Sequence, residues 1–151
     1  KLDSFYYTDL NSAENSLNLN LSFSIINYVE KIEQLGNFTM PFFTALKENP
    51  FIKQRRSNPI DFDYSLLKSE NVKIEFPENF SVSQIPKKRK VLLTDLGFNQ
   101  VYGSGSNYVE CARTLDLKKR RLLVQNYQSI KSLYDDLVSS SQDQIILQKK
   151  N

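Results

Sequence analysis

Covalent or acid-base chemistry needs a nucleophile, a proton carrier or a ligand set, and this chain offers few of them. Histidine is absent, which removes the commonest general base, the Ser-His and Cys-His pairs, and imidazole metal ligands. The single cysteine, Cys111, alternates with its neighbours in an extended pattern and reads as a small core residue rather than a reactive thiol. Ser65 and Lys68 have the Ser-x-x-Lys spacing, which on a helix would set a nucleophile beside a base, but composition alone supplies such a spacing and no companion motif is present. The stretch Gly103-Ser104-Gly105-Ser106-Asn107-Tyr108 begins like a dinucleotide fingerprint, lacks its third glycine and leads into a strand pattern, so a hairpin turn explains it better. Asp61 and Asp63 bring two carboxylates where a hard cation needs more oxygen ligands. Asp135 and Asp136 are adjacent on a helical pattern and so diverge. The expectation is a non-enzymatic chain with no cofactor, no metal and no evident small-molecule substrate.

What the sequence does concentrate is positive charge. Lys87, Lys88, Arg89 and Lys90 form one run, and Lys118, Lys119, Arg120 and Arg121 form another; composition predicts about 0.05 such four-residue windows. Residues 87–121 hold 9 basic and 3 acidic side chains, a charge of +6, while the remainder carries −3. Such polarity can draw phosphates or an acidic protein patch to one face. The second run is expected at the start of the last helix, where cations oppose the macrodipole unless the helix begins earlier or an anion docks there. Pro86-Lys87-Lys88-Arg89-Lys90-Val91 is identical to the short nuclear-import signal of a viral large tumour antigen. This six-residue resemblance implies a nuclear setting, although it runs straight into a strand pattern.

The elements that would position these residues are read from periodicity. Residues 1–21 show mixed periodicity and read as a flexible arm. From Ser22 to Leu35 the apolar positions Phe23, Ile25, Ile26, Val29, Ile32 and Leu35 predict a helix stopped by Gly36. A second helix is expected from about Thr39 to Glu48, with Thr39 as N-cap and Phe42, Phe43 and Leu46 buried. Residues 49–70 read as a connection. Period-two alternation then predicts strands at Val72 to Phe76, Phe80 to Val82, Val91 to Thr94, Phe98 to Tyr102 and Tyr108 to Cys111, together an antiparallel meander. Leu123, Tyr127, Ile130, Tyr134 and Leu137 step by four and three and predict a C-terminal helix of about 20 residues packed on the sheet. Residues 139–151 are left as a frayed tail.

A chain of 151 residues, 40% hydrophobic and 25% charged, suits one domain with a genuine core. One cysteine speaks for a reducing compartment. Three glycosylation sequons, at Asn20, Asn37 and Asn79, are about what 14 Asn and 22 Ser and Thr produce by chance. No apolar run approaches a membrane span and no signal peptide is visible; starting without Met, the chain reads as a piece of a longer protein. The fold expectation is α+β, an antiparallel meander packed with N-terminal helices and a long C-terminal helix, residues 22–138 forming the domain. The function expected is a protein-interaction domain of a larger nuclear, chromatin- or DNA-associated protein, docking acidic partner subunits through its basic face. The alternative is direct nucleic-acid binding, with Tyr102 and Tyr108 stacking on bases between the two runs.

Overall fold

The computed structural model describes residues 1–8, 10–11, 18–23, 26 and 28–150. The chain divides into two compact units, Lys1–Glu30 and Lys31–Asn151. In the first, β1 (Leu2–Thr8) pairs antiparallel with β2 (Asn18–Phe23), placing Phe5 opposite Leu21 and Tyr7 opposite Leu19. Phe5 and Tyr7, two apart on one strand, share a face and meet edge to face at 6.2 Å. The segment read as a flexible arm is therefore a hairpin where it is described; residues 9 and 12–17 lie outside the described set.

The remaining elements are β3 (Glu30–Ile32), β4 (Leu35–Thr39), β5 (Ile60–Asp61), β6 (Leu66–Glu75), β7 (Phe80–Gln84), β8 (Arg89–Leu92), β9 (Leu96–Ser104), β10 (Tyr108–Leu117), β11 (Arg121–Leu122), a 3-10 turn at Val124–Asn126, α1 (Tyr127–Ser140) and β12 (Gln144–Lys149). One four-stranded sheet has the order β6-β10-β9-β8 and the other β3-β4-β12-β7, while β5 and β11 form a short ladder. The first sheet follows from alternation. Val109, Cys111, Arg113 and Leu117 of β10 are buried, and Glu110 and Ala112 between them are exposed. Its partner β9 buries Leu96, Phe98 and Gln100 by the same parity. A Cβ at Gly105 in the β9–β10 turn would clash with the Tyr108 ring, so any larger residue there requires that ring to move.

Helix α1 covers the apolar end of this sheet. Tyr127, Ile130, Leu133, Tyr134 and Leu137 form its buried stripe and join Leu96, Phe98, Leu117, Leu122, Ile60 and Phe51 in one cluster. Burying each large side chain stabilises by about 1.5–3 kcal/mol. Phe51 meets the Tyr134 ring edge-on at 4.8 Å and the Tyr127 ring at 6.1 Å.

The fold class expected from periodicity is overturned: the chain is mostly antiparallel sheet with one C-terminal helix and no N-terminal helices. Where 22–35 is described there is no helix: residues 22–23, 30–32 and 35 are strand, the rest turn or irregular, with β3 and β4 joined at Glu33–Gln34, and Glu33 adopts φ 55. Residues 24, 25 and 27 lie outside the described set. Ile32, in β3, is β-branched and fits a strand at least as well as a helix. Gly36, read as a helix stop, sits inside β4 opposite Leu147. Residues 40–50 form no helix; Phe42 is buried and Phe43 exposed. The meander holds for β8, β9 and β10, but β6 returns to the far side of β10 and β7 crosses to the second sheet. Helix α1 begins at Tyr127, so Lys118–Arg121 never meets the macrodipole, and Leu123 is exposed outside the helix. The expected tail supplies β12, an inner strand between β4 and β7 with Ile145 and Leu147 buried.

Candidate functional site

Four strands bring a polar row onto the covered face of the first sheet. Arg89 of β8 lies opposite Gln100 of β9, Gln100 opposite Arg113 of β10, and Arg113 opposite Glu70 of β6. The Arg113 side chain donates to the Leu137 carbonyl at 3.1 Å and to Ser141 Oγ at 3.0 Å. It lies over the rings of Phe42, at 4.6 Å, and Phe98, at 5.4 Å. Burial pulls its pKa below the ordinary guanidinium value. Gln100 Nε2 donates to the Tyr102 hydroxyl at 2.7 Å and to the Ser140 carbonyl at 3.3 Å, while its Oε1 is buried without a partner. Arg89 grips Asp143 through Nη2 at 2.7 Å and Nε at 3.1 Å, and reaches Asp136 at 3.3 Å; the Asp143 hydrogen bond raises its pKa. Glu70 accepts from the Thr44 amide at 3.1 Å and from the Thr44 hydroxyl. The row ties the last turn of α1, the entry to β12 and residues 42–44 to one line of the sheet, which is a positioning role.

That geometry sorts the eight cations of the two runs. Arg89 is consumed inside the fold. Lys119 pairs with Asp95 at 2.9 Å, and Arg121 lies 3.8 Å from Asp61. Lys87, Lys88, Lys90, Lys118 and Arg120 are exposed and carry no ion pair among the described residues. Lys118 follows β10, its amide donating to the Asp95 carbonyl at 3.0 Å, so the second run sits at the end of the sheet where β8 turns into β9. Lys90 and Lys118 line one open groove of about 400 Å³ with Leu92, Asn99, Thr114 and Asp116. Lys90 of the first run and Lys118 of the second thus share one groove that crosses β8, β9 and β10 at the end where β8 turns into β9. The tyrosines do not join them. Tyr102 shares the covered face with Gln100, its hydroxyl pushed well above the ordinary tyrosine value by burial. Tyr108 stands on the opposite face, with Lys73 Nζ 4.6 Å from its ring centroid. The pair therefore cannot form one stacking platform.

The remaining candidates have equally definite places. Cys111 is 1% exposed and burial pushes its thiol up to about 12, the opposite of activation. Ser65 precedes β6 and Lys68 lies within it, so the helical pairing their spacing suggests does not form. Asp61 is in β5 beside Arg121, and among the described residues no cluster of three metal-ligating side chains occurs. No helix among the described residues is long and apolar enough to cross a membrane. Sequence reading passed over two features. Arg113 and Gln100 follow inward strand parity, but their polarity concealed it. Lys53, Arg55 and Arg56 form a third basic cluster, interrupted by Gln54 and therefore not a continuous run.

The fold is similar to the crystal structure of a "putative protease" from Parabacteroides distasonis, with a TM-score of 0.62 at 13% identity. The likeness covers 77% of this chain and 24% of that one, so the chain spans about a quarter of that protein's length. At this identity the likeness concerns the fold alone. No curated protein matches the chain. The nuclear setting implied by residues 86–91 is overturned: the matching family and the similar fold are of bacterial type, which does not fit a nuclear protein. In the structure this hexapeptide is a connection running into edge strand β8, with its Arg89 locked to Asp143. The sequence profile of a family described as "Domain of Unknown Function with solved-structure structure (DUF3858)" matches residues 32–147, which is most of the chain, and the chain belongs to that family.

Proposed function

We propose that this domain is a non-catalytic docking module that holds an acidic surface of another protein against the β8 edge of its first sheet. The observation that carries the reading is the set of unpaired cations along that edge. Lys87 and Lys88 lead into β8, Lys90 projects from it, and Lys118, just past the end of β10, shares one groove with Lys90. An edge strand keeps one row of backbone donors and acceptors available, and lysines there both repel uncontrolled strand addition and select a partner of opposite charge. The non-catalytic part is supported by the absence of histidine and by a lone thiol buried and raised to about 12.

The test is the affinity of a fluorescent ten-residue poly-glutamate peptide, read by anisotropy, for the wild-type chain and for K87Q/K88Q/K90Q/K118Q. The reading predicts a loss of at least about tenfold in the variant and a steep weakening as salt rises past about 0.1 M, where the Debye length is about 10 Å. Equal affinity for both proteins would remove the β8 edge as the docking surface.

A further inference from the structure

The connection between β4 and β5 carries a cationic feature distinct from the sheet edge. Residues 52–58 are all exposed, yet their backbone is fixed to α1. Asn49 Nδ2 donates to the Lys131 carbonyl at 2.8 Å and to Asp135 Oδ1 at 2.7 Å. The Tyr127 hydroxyl donates to the Lys53 carbonyl at 2.7 Å, and Gln128 Nε2 donates to the Gln54 carbonyl. Phe51, immediately before, is anchored in the core between Tyr127 and Tyr134. Exposed loops without secondary structure are ordinarily mobile. Here the helix holds successive carbonyls, so the side chains project from a defined backbone.

Those side chains surround a cleft of about 330 Å³ lined by Lys53, Arg55, Arg56, Ser57 and Tyr127, with Ile52 adding apolar surface. No acidic residue lines it, and none of the three cations forms an ion pair among the described residues. Three cations within four residues repel one another, a cost that a bound anion would reverse. Arg56 Nε donates to the Asn58 carbonyl at 3.1 Å, which orients the guanidinium and leaves its Nη donors for a ligand. Two guanidinium groups and a hydroxyl on a fixed loop suit a tetrahedral oxyanion, because planar forks bind such oxygens in pairs.

We infer that this cleft is a binding site for a phosphate group, either free phosphate or the phosphate of a small organic ester whose body rests on Ile52 and Tyr127. The site does not depend on the docking surface at β8. It is tested by titrating the isotope-labelled chain with inorganic phosphate and, separately, with phenyl phosphate, following backbone amide signals. Saturable shifts are expected for residues 51–58 and 127–128. Tighter binding of phenyl phosphate identifies an organic ester as the ligand class; equal binding identifies the free anion. R55Q/R56Q, both exposed and outside the core, should weaken binding by at least about tenfold with the fold intact, since a charge-assisted hydrogen bond contributes about tenfold or more. K118Q/K119Q removes the same charge elsewhere and should leave affinity within about twofold. Shifts that never saturate, that spread over all surface lysines and arginines, or that persist in R55Q/R56Q would overturn the inference.

Discussion

Replacing Arg113 with Met gives the sharpest test of how this sheet is held to its helix. Arg113 is 3% exposed, bridges to the Leu137 carbonyl and Ser141 Oγ, and lies over two aromatic rings. Two hydrogen bonds from a charged donor contribute about 1.5–3 kcal/mol each. Against them stands the desolvation of a buried cation, a cost of several kcal/mol that Met would remove. Leu137 O is not orphaned in the variant, because Ser140 Oγ and Ser141 Oγ already donate to it at 2.8 and 3.2 Å. Glu70, across the ladder, keeps Thr44 but loses its facing charge. The balance is a destabilisation of about 1–3 kcal/mol, a large share of a typical stability of about 5–15 kcal/mol. Urea unfolding measures it, with an unchanged m-value expected, and amide exchange should quicken in the last turn of α1. If the variant were as stable as the parent and its last turn equally protected, the polar row would not be what fixes the helix.

Three further outcomes follow from the same contacts. D143N removes a charged acceptor from Arg89 and should lower stability by about 1–2 kcal/mol in urea unfolding; an unchanged midpoint would mean that Asp136 alone anchors β8. Truncation after Ser141 deletes β12 with buried Ile145 and Leu147. Losing two buried aliphatic side chains and an inner strand costs more than about 4 kcal/mol, so circular dichroism should show an unfolded chain, and a folded one would contradict the sheet order. Cys111 should resist a thiol reagent at pH 8 in the native chain and react fully in urea. Its folded value of about 12 exceeds the ordinary 9.0, so the thiol's contribution is intact below pH 9. As pH rises towards 12 the unfolded state ionises first, and stability should fall by up to about 1.4 kcal/mol per unit; a flat profile above pH 9 would refute the burial argument.

The strands at 72–76, 98–102 and 108–111 were legible because half-buried strands alternate, and the stripe from Tyr127 to Leu137 because a one-sided helix repeats every three or four residues. The N-terminal helices failed on the same signal: short strands separated by a turn can imitate helical spacing, and only the pairing of β4 with β12, more than a hundred residues apart, decides the matter. That pairing also explains why 144–149 looked like a tail, since a strand of six residues with one partner near the start of the unit has no local signature. Charge was legible as an inventory but not as a surface. Nothing in the run 87–90 marks Arg89 as the inward member until β8 is registered against β9, and Asp143 is distant in sequence. Tyr102 and Tyr108 flank a turn whose register sends them to opposite faces, a parity that depends on how the turn is closed.

The cationic β8 edge is tested most directly by lysine acetylation footprinting of the 151-residue chain, free and saturated with the poly-glutamate peptide, read by mass spectrometry. The account predicts protection of Lys87, Lys88, Lys90 and Lys118, with Lys47, Lys149 and Lys150 modified at their free rates. Protection that is uniform over all lysines, or that falls on Lys47, Lys149 and Lys150, would contradict a docking surface along that edge.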